Sequence, residues 1–191
     1  IRGNFASVKK ENKKLIVTDR RAGRIKTDEN NRIIKKLSQN IQTIGKYKIF
    51  FKSGLEHRFV CKISCPTKVS KDECDIQDTD PQVIGYSPLD PINLNKKSLK
   101  TSIVVRKLLD KIRAVLNNEK NANFALFRGF SSYPSIPTFD TLYKIRSASV
   151  TTYPMYKGIG RLVGMEPLSL KTNNLQGQIE AIKANINNYD F

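Results

Sequence analysis

Six short apolar stretches, each bounded by Gly, Pro, Lys or Asn, alternate along this chain with three longer segments of helical period, and this alternation limits the fold more than any other feature. The strand-like stretches are Asn4 to Val8, Leu15 to Thr18, Tyr47 to Phe51, His57 to Ile63, Asn123 to Phe127 and Ala148 to Thr152. The first helical segment runs from Asp28 to about Gln42, with Thr27 as its cap, acids in its first turn and Ile33, Ile34, Leu37 and Ile41 on one face. The second runs from a Ser98 cap to about Asn117 and carries Ile103, Val104, Leu108, Leu109, Ile112, Val115 and Leu116. The third, near Leu175 to Asn187, carries Leu175, Ile179, Ile182 and Ile186. Interleaved elements of this kind predict an α/β fold, with α+β still open: a mixed sheet of about 4–6 strands flanked by helices. At 191 residues the chain suffices for a single domain with a sizeable core.

Between Cys65 and Lys97 the pattern breaks down, with Asp72, Glu73, Asp75, Asp78, Asp80 and Asp90 set among prolines, so a long surface loop is expected there. No stretch approaches 18 consecutive apolar residues and no leader pattern opens the chain, which predicts a soluble protein in the cytoplasm without membrane contact. The chain begins Ile1-Arg-Gly-Asn-Phe5 without an initiator Met, and the expectation is a segment cut from something larger.

A net charge of +17 makes polyanions the default partners. Much of that charge is lysine interleaved with asparagine, as in Lys9-Lys-Glu-Asn-Lys-Lys14, a texture that also suits a solvated face. A nucleic-acid reader needs exposed aromatics among its cations, whereas Phe5, Phe50, Phe51, Phe59, Phe124 and Phe127 fall mostly at positions expected to face the core. Nucleic acid is therefore the less favoured partner.

Cys61, Cys65 and Cys74, with the lone His57 four residues before Cys61, lack the C-x2-C spacing of a zinc knuckle, so buried free thiols are the expected state and no metal site is assigned. Asp78-Thr-Asp80 pairs two carboxylates, which more often serve arginines or turns than a divalent ion. No nucleophile motif is present, and His57 reads as a structural or ligand-contact residue rather than a general base.

Two clusters suit a small anion. Tyr153-Pro-Met-Tyr-Lys-Gly-Ile-Gly-Arg-Leu-Val-Gly-Met165 combines Lys157 and Arg161 with three glycines, which are expected to form a turn opening a short helix. Asp19-Arg-Arg-Ala-Gly-Arg24 sets Arg20, Arg21 and Arg24 just beyond a strand, and arginine's planar fork grips carboxylate or phosphate through paired hydrogen bonds. The competing reading has these arginines paired with Asp19, Asp78 and Asp80.

These motifs recur in a set. Arg2-Gly-Asn-Phe-Ala6, Asp19-Arg-Arg-Ala-Gly-Arg24, Glu56-His-Arg-Phe59, Asp78-Thr-Asp-Pro81, Asn123 with Phe127-Arg-Gly-Phe130, Pro137-Thr-Phe139 and the Tyr153–Met165 segment stand in that order. The set resembles the archaeal-type 2,3-bisphosphoglycerate-independent phosphoglycerate mutases of the alkaline phosphatase superfamily. That resemblance implies an isomerase interconverting 2-phosphoglycerate and 3-phosphoglycerate through a phosphoserine, with two divalent metal ions (manganese, magnesium or zinc) in a catalytic domain. This chain is similar to the domain inserted into that catalytic domain, with residues 1–170 as the substrate-binding part and 171–191 as a C-terminal helix and return linker. Neither the serine nor the metal ligands have counterparts here, so the fragment alone is expected to be inactive and without a cofactor. By motif position the implied anion contacts are Arg20, Arg21, Arg24, His57, Arg58, Arg128, Lys157 and Arg161, with Asp19 as an acid/base or arginine-orienting group. Two other classes stay open: a basic nucleic-acid-binding domain, and a non-catalytic protein-interaction domain, which would need a sizeable exposed apolar patch.

Overall fold

Gly3 shows how tightly the first strand is fixed: a Cβ there would lie 2.2 Å from the ring of Phe59 on the neighbouring strand, so only glycine lets the ring cross the backbone. The computed structural model describes residues 1–191, and β1 (Arg2–Glu11) pairs there with β2 (Lys14–Asp19), β5 (Arg58–Ser64) and β6 (Phe124–Arg128). Beyond β5 lie β4 (Tyr47–Ser53) and the short β3 (Thr43–Ile44), giving the order β2-β1-β5-β4-β3 with β6 on β1. Every pairing in this six-stranded sheet is antiparallel, which corrects the expectation of a mixed sheet. Hairpins explain three of its pairings, β1–β2, β3–β4 and β4–β5. Asn12 and Lys13 turn β1 into β2 with φ of 47° and 66°, the backbone that two-residue hairpins require.

Two helices, α1 (Thr27–Asn40) and α2 (Leu99–Leu116), bury their apolar sides against one face of the sheet. Ile33, Ile34 and Leu37 meet Val105, Leu108 and Ile112 over Phe5, Phe59 and Phe127, with Phe5 and Phe59 stacked at 4.6 Å between centroids. The predicted apolar face of α2 needs one exchange, because Ile103 is exposed and Val105 is buried. Capping differs too. Thr27 begins α1 but accepts a hydrogen bond from the Glu56 amide, and the turn before α2 is capped by Asn95, whose side chain accepts from Lys97 and Ser98.

On the opposite face, Ala6, Val17, Phe124 and Leu126 form a smaller cluster over β1, β2 and β6. The remainder of that face is open: Lys48, Phe50, Lys52, Arg58, Val60 and Lys62 all point away from the main core and are exposed. Phe50 is thus a correction to the core list, its ring carrying the Lys62 ammonium at 5.7 Å. The stretch from Cys65 to Lys97 is irregular, as expected, and is tied down by a bridge between Ile76 and Asn93.

The sheet and its helices form one compact unit, Ile1–Ser132, and Tyr133–Phe191 forms a second, where the sequence pattern suggests a single domain. The second contains α3 (Phe139–Tyr143), a parallel pair of β7 (Ala148–Ser149) with β8 (Glu166–Pro167), α4 (Pro154–Leu162) and α5 (Leu175–Asn185). Residues 171–191, expected as a C-terminal helix and return linker, fall in this second unit and include α5. α5 packs through Gly177 and Ala181, while Leu175, Ile179, Ile182 and Ile186, expected as its core face, are exposed. A Cβ on Gly177 would lie 2.1 Å from the Thr172 carbonyl, so close approach of backbone sets the contact and turns the larger residues outward. No helix is long and apolar enough to cross a membrane.

Candidate anion-binding site

The arginine loop leaves β2 under strain. Ala22, Gly23 and Arg24 take φ of 49°, 66° and 52° in succession, a left-handed run that costs an L-residue about 1–2 kcal/mol at each non-glycine position. Two features hold it. The Asp19 carboxylate accepts the Arg21 and Gly23 amides, both at 2.7 Å, and the Ala22 methyl is fully buried in the main core. Arg21 and Arg24 are left exposed on either side. Asp19 therefore spends both oxygens on organising the backbone of the loop.

His57 is buried beside this loop, at 3% exposure. Its turn joins β4 to β5 and is clamped by Asn30 of α1, whose amide nitrogen donates to the carbonyls of Glu56 and Arg58. The His57 carbonyl accepts the Phe5 amide at 2.8 Å, and Gly54 donates to Arg58 at the same distance. The imidazole Nδ1 has no hydrogen-bond partner and stands 3.7 Å from a Glu56 carboxylate oxygen. Burial pushes the His57 pKa below its ordinary value, Arg58 adds to this against the pull of Glu56, and Arg21 and Arg24 add further. The Arg21, Arg24 and Arg58 charges all bear on the His57 imidazole, with the Glu56 carboxylate 3.8 Å from Arg58 and the Asp19 carboxylate held by the Arg21 and Gly23 amides.

Arg20 is engaged differently. Its Nε and one terminal nitrogen donate to the two oxygens of Asp80, both at 2.8 Å, in the paired geometry that arginine forks favour. Burial alone would raise the Asp80 pKa, but the Arg20 fork, the Gln82 amide and the nearby Arg128 outweigh it and hold the carboxyl below the usual carboxylate range. Arg128 lies 3.8 Å from both Asp78 and Asp80, and its Nε is buried without a partner. Asp78 also accepts the Gly129 amide at 2.8 Å. These carboxylates are structural, and no three His, Cys, Asp or Glu side chains come together as a metal cage. The cysteines are free thiols, and burial pushes the Cys61 pKa up to about 12.

In the second unit Lys157 and Arg161 stand one turn apart on α4 and enter no salt bridge, Arg161 exposed and Lys157 half-buried. The glycines do not form the expected turn at the start of this helix. Gly158 and Gly160 lie inside it, and Gly164 follows it with φ of 82°. A Cβ on Gly160 would meet Ser149 at 3.0 Å and one on Gly164 would meet Thr138 at 2.6 Å, so those two positions are kept small for packing.

Sequence reasoning leaves out Asn30, which fixes the histidine turn; its one signal is an amide on the otherwise apolar buried face of α1. Arg2 and Asn4, on the open side of β1, belong to the Arg2–Ala6 motif but are not among the anion contacts implied there.

The chain is similar to known proteins along its whole length. The model of the 2,3-bisphosphoglycerate-independent phosphoglycerate mutase family matches residues 1–122. A protein of Aquifex aeolicus named "Probable 2,3-bisphosphoglycerate-independent phosphoglycerate mutase" is 41% identical over 191 residues, covering 100% of this chain and 47% of the relative. One of the same name from Thermus thermophilus is 42% identical over 193 residues, covering 46% of its length. Among solved structures, the cofactor-independent phosphoglycerate mutase of Thermoplasma acidophilum superposes with a TM-score of 0.69 at 27% identity, covering 100% of this chain and 53% of that one. The chain spans about half the length of the curated relatives it matches.

Proposed function

Because this chain belongs to the family of 2,3-bisphosphoglycerate-independent phosphoglycerate mutases, we propose that it is the substrate-holding part of such an isomerase, binding 2-phosphoglycerate and 3-phosphoglycerate while the phosphoryl group is moved elsewhere. The observation that carries this reading is the grouping of Arg21 and Arg24, on a strained loop anchored by Asp19, with Arg58 beside the buried His57, three cations against two carboxylates, Glu56 and the Asp19 that is spent on loop amides. Both ends of a phosphoglycerate are oxyanions, which arginine forks bind in pairs. Arg128 contributes from β6, while Arg20, already held by Asp80, positions the loop. Within the second unit, Lys157 and Arg161 on α4 are the candidate anion contacts of that unit by itself. Holding the glycerate away from water as it turns over limits loss of the phosphoryl group to hydrolysis.

The remaining half of the relatives' length would supply the serine nucleophile and the two divalent metal ions, as a catalytic domain of the same chain acting in the cytoplasm, with residues 171–191 leading back toward it. The residues present here do not fit metal ions: Asp78 and Asp80 are spent on Arg20, Arg128 and backbone amides, and no three His, Cys, Asp or Glu side chains come together. Every role assigned to this chain is therefore one of binding, and by itself it should not turn over substrate.

Calorimetric titration with 3-phosphoglycerate and with a short single-stranded RNA, each at two salt concentrations, tests this. Saturable phosphoglycerate binding that Arg24→Gln weakens supports the reading. RNA binding that falls steeply with salt, with no heat from phosphoglycerate, would replace it with nucleic-acid binding.

A further inference from the structure

Strand register places a row of side chains from separate motifs across the open face of the sheet. Arg2 lies directly opposite Val60 on β5 and directly opposite Arg128 on β6, and Lys52 on β4 lies opposite Val60 in turn. One row thus reads Lys52, Val60, Arg2, Arg128. Two residues along β1, Asn4 lies between Arg58 and Leu126 on the same face. Like charges directly opposite on antiparallel strands repel, so an Arg–Arg pair of this kind is unfavourable without an anion between. The chain relieves it only in part, through Asp78 and Asp80 on the Arg128 side. Arg2 is exposed and enters no salt bridge, while Arg128 reaches its carboxylates only at 3.8 Å and leaves a buried Nε unpartnered. Asp80 is already committed to the Arg20 fork.

We propose that Arg2 and Arg128 together grip one oxyanion end of the bound molecule, with Asn4 beside them, while Arg21, Arg24 and Arg58 take the other end. This rests on the phosphoglycerate reading and divides its site into two halves, one on the sheet and one on the loop. Arg58 and Arg128 are two strands and two residues apart, a Cα separation of about 12 Å from ordinary sheet spacings. Two arginine side chains can reach across that span to a three-carbon molecule charged at both ends. Gly3, which cannot bear a Cβ, holds Arg2 and Asn4 on this face by letting Phe59 cross behind them. Phosphate and carboxylate share the required chemistry, and the test separates them.

The 191-residue chain and its Arg2→Gln, Arg2→Lys and Arg24→Gln variants are titrated with 3-phosphoglycerate, inorganic phosphate and glycerate by NMR, with the Cys61 labelling rate as a check on the fold. The expected result is at least a tenfold loss of phosphoglycerate affinity in Arg2→Gln, with Cys61 labelled no faster than in the parent because repulsion has been removed. A smaller loss is expected in Arg2→Lys, which keeps the charge and loses the fork. Loss of phosphate binding in Arg2→Gln assigns the phosphate end to the pair, and loss of glycerate binding assigns the carboxylate end. Unchanged affinity in Arg2→Gln beside a loss in Arg24→Gln would overturn this inference and leave the phosphoglycerate reading standing. Full affinity in a folded Arg2→Lys, or a loss in Arg2→Gln matched by faster Cys61 labelling, would also overturn it. A parent chain that binds no phosphoglycerate would overturn both.

Discussion

Replacing Asp80 with Asn should loosen the first unit more than any other single polar change. The carboxylate is fully buried and receives two 2.8 Å bonds from Arg20 and one at 2.9 Å from the Gln82 amide, with Arg128 nearby. An Asn can keep one acceptor, but its NH2 then faces a guanidinium donor. Removing one partner of a buried ion pair costs about 3–5 kcal/mol. Arg20 is 26% exposed, so water recovers part of that, and a loss of about 3 kcal/mol is the working figure. Cys61 reports it, being fully buried on the main-core face of the same unit, with a thiol pKa pushed up to about 12. If labelling proceeds through opening of this core, a loss of that size speeds modification of Cys61 roughly 100-fold at fixed pH. Mass spectrometry separates Cys61 from the more accessible Cys65 and Cys74. Adding Arg20→Gln to the Asp80→Asn chain should then cost less than about 1 kcal/mol, because the pair is already broken. Labelling of Cys61 in Asp80→Asn within fivefold of the parent rate would refute this account of the Arg20–Asp80 pair.

Gly3→Ala should cost about 1–3 kcal/mol through overpacking against Phe59, and Phe59→Leu in the same chain should recover part of it, as urea midpoints would show. Acid should destabilise the first unit in two steps. His57 is held below its ordinary pKa, so the unfolded chain binds more protons; its contribution is present above about pH 6.5 and lost as the pH falls from there. Asp80, also held low, contributes above about pH 3.9 and is lost as pH falls through its folded value, so His57→Gln should remove the upper step of the urea-midpoint profile and leave the lower. On α5, Ile182→Ser should change stability by less than about 0.5 kcal/mol while Ala181→Leu costs more, the reverse of what residue size suggests, by circular dichroism melts.

That last reversal shows where the sequence runs out. Period alone located five of the six strands, all but β3, and the long helices of the first unit within a few residues, because its sheet has one strongly buried face and α1 and α2 carry wide apolar sides. In α5 the same period points outward, since contact is made by Gly177 and Ala181 against backbone, and small residues leave no hydrophobic signal. Phe50 misled for a related reason: alternation along β4 fixes which residues share a face, and only the packing of α1 and α2 decides which face is covered. The arginine loop was legible as a motif, but not the division of labour within it. Arg20 is tied to an aspartate 60 positions away, a pairing that only the fold reveals. Arg2 was passed over because its significance lies in a cross-strand register with Arg128, 126 positions along.

The lone histidine provides the most direct measurement of the central claim. The His57 imidazole proton resonance would be followed through a pH titration of the 191-residue chain, with and without saturating 3-phosphoglycerate. The account predicts a pKa below the ordinary histidine value in the free chain, and an upward move on binding as an anion settles among Arg21, Arg24 and Arg58. A His57 titration unmoved by phosphoglycerate, with the amides of Asp19 to Arg24 equally still, would contradict it.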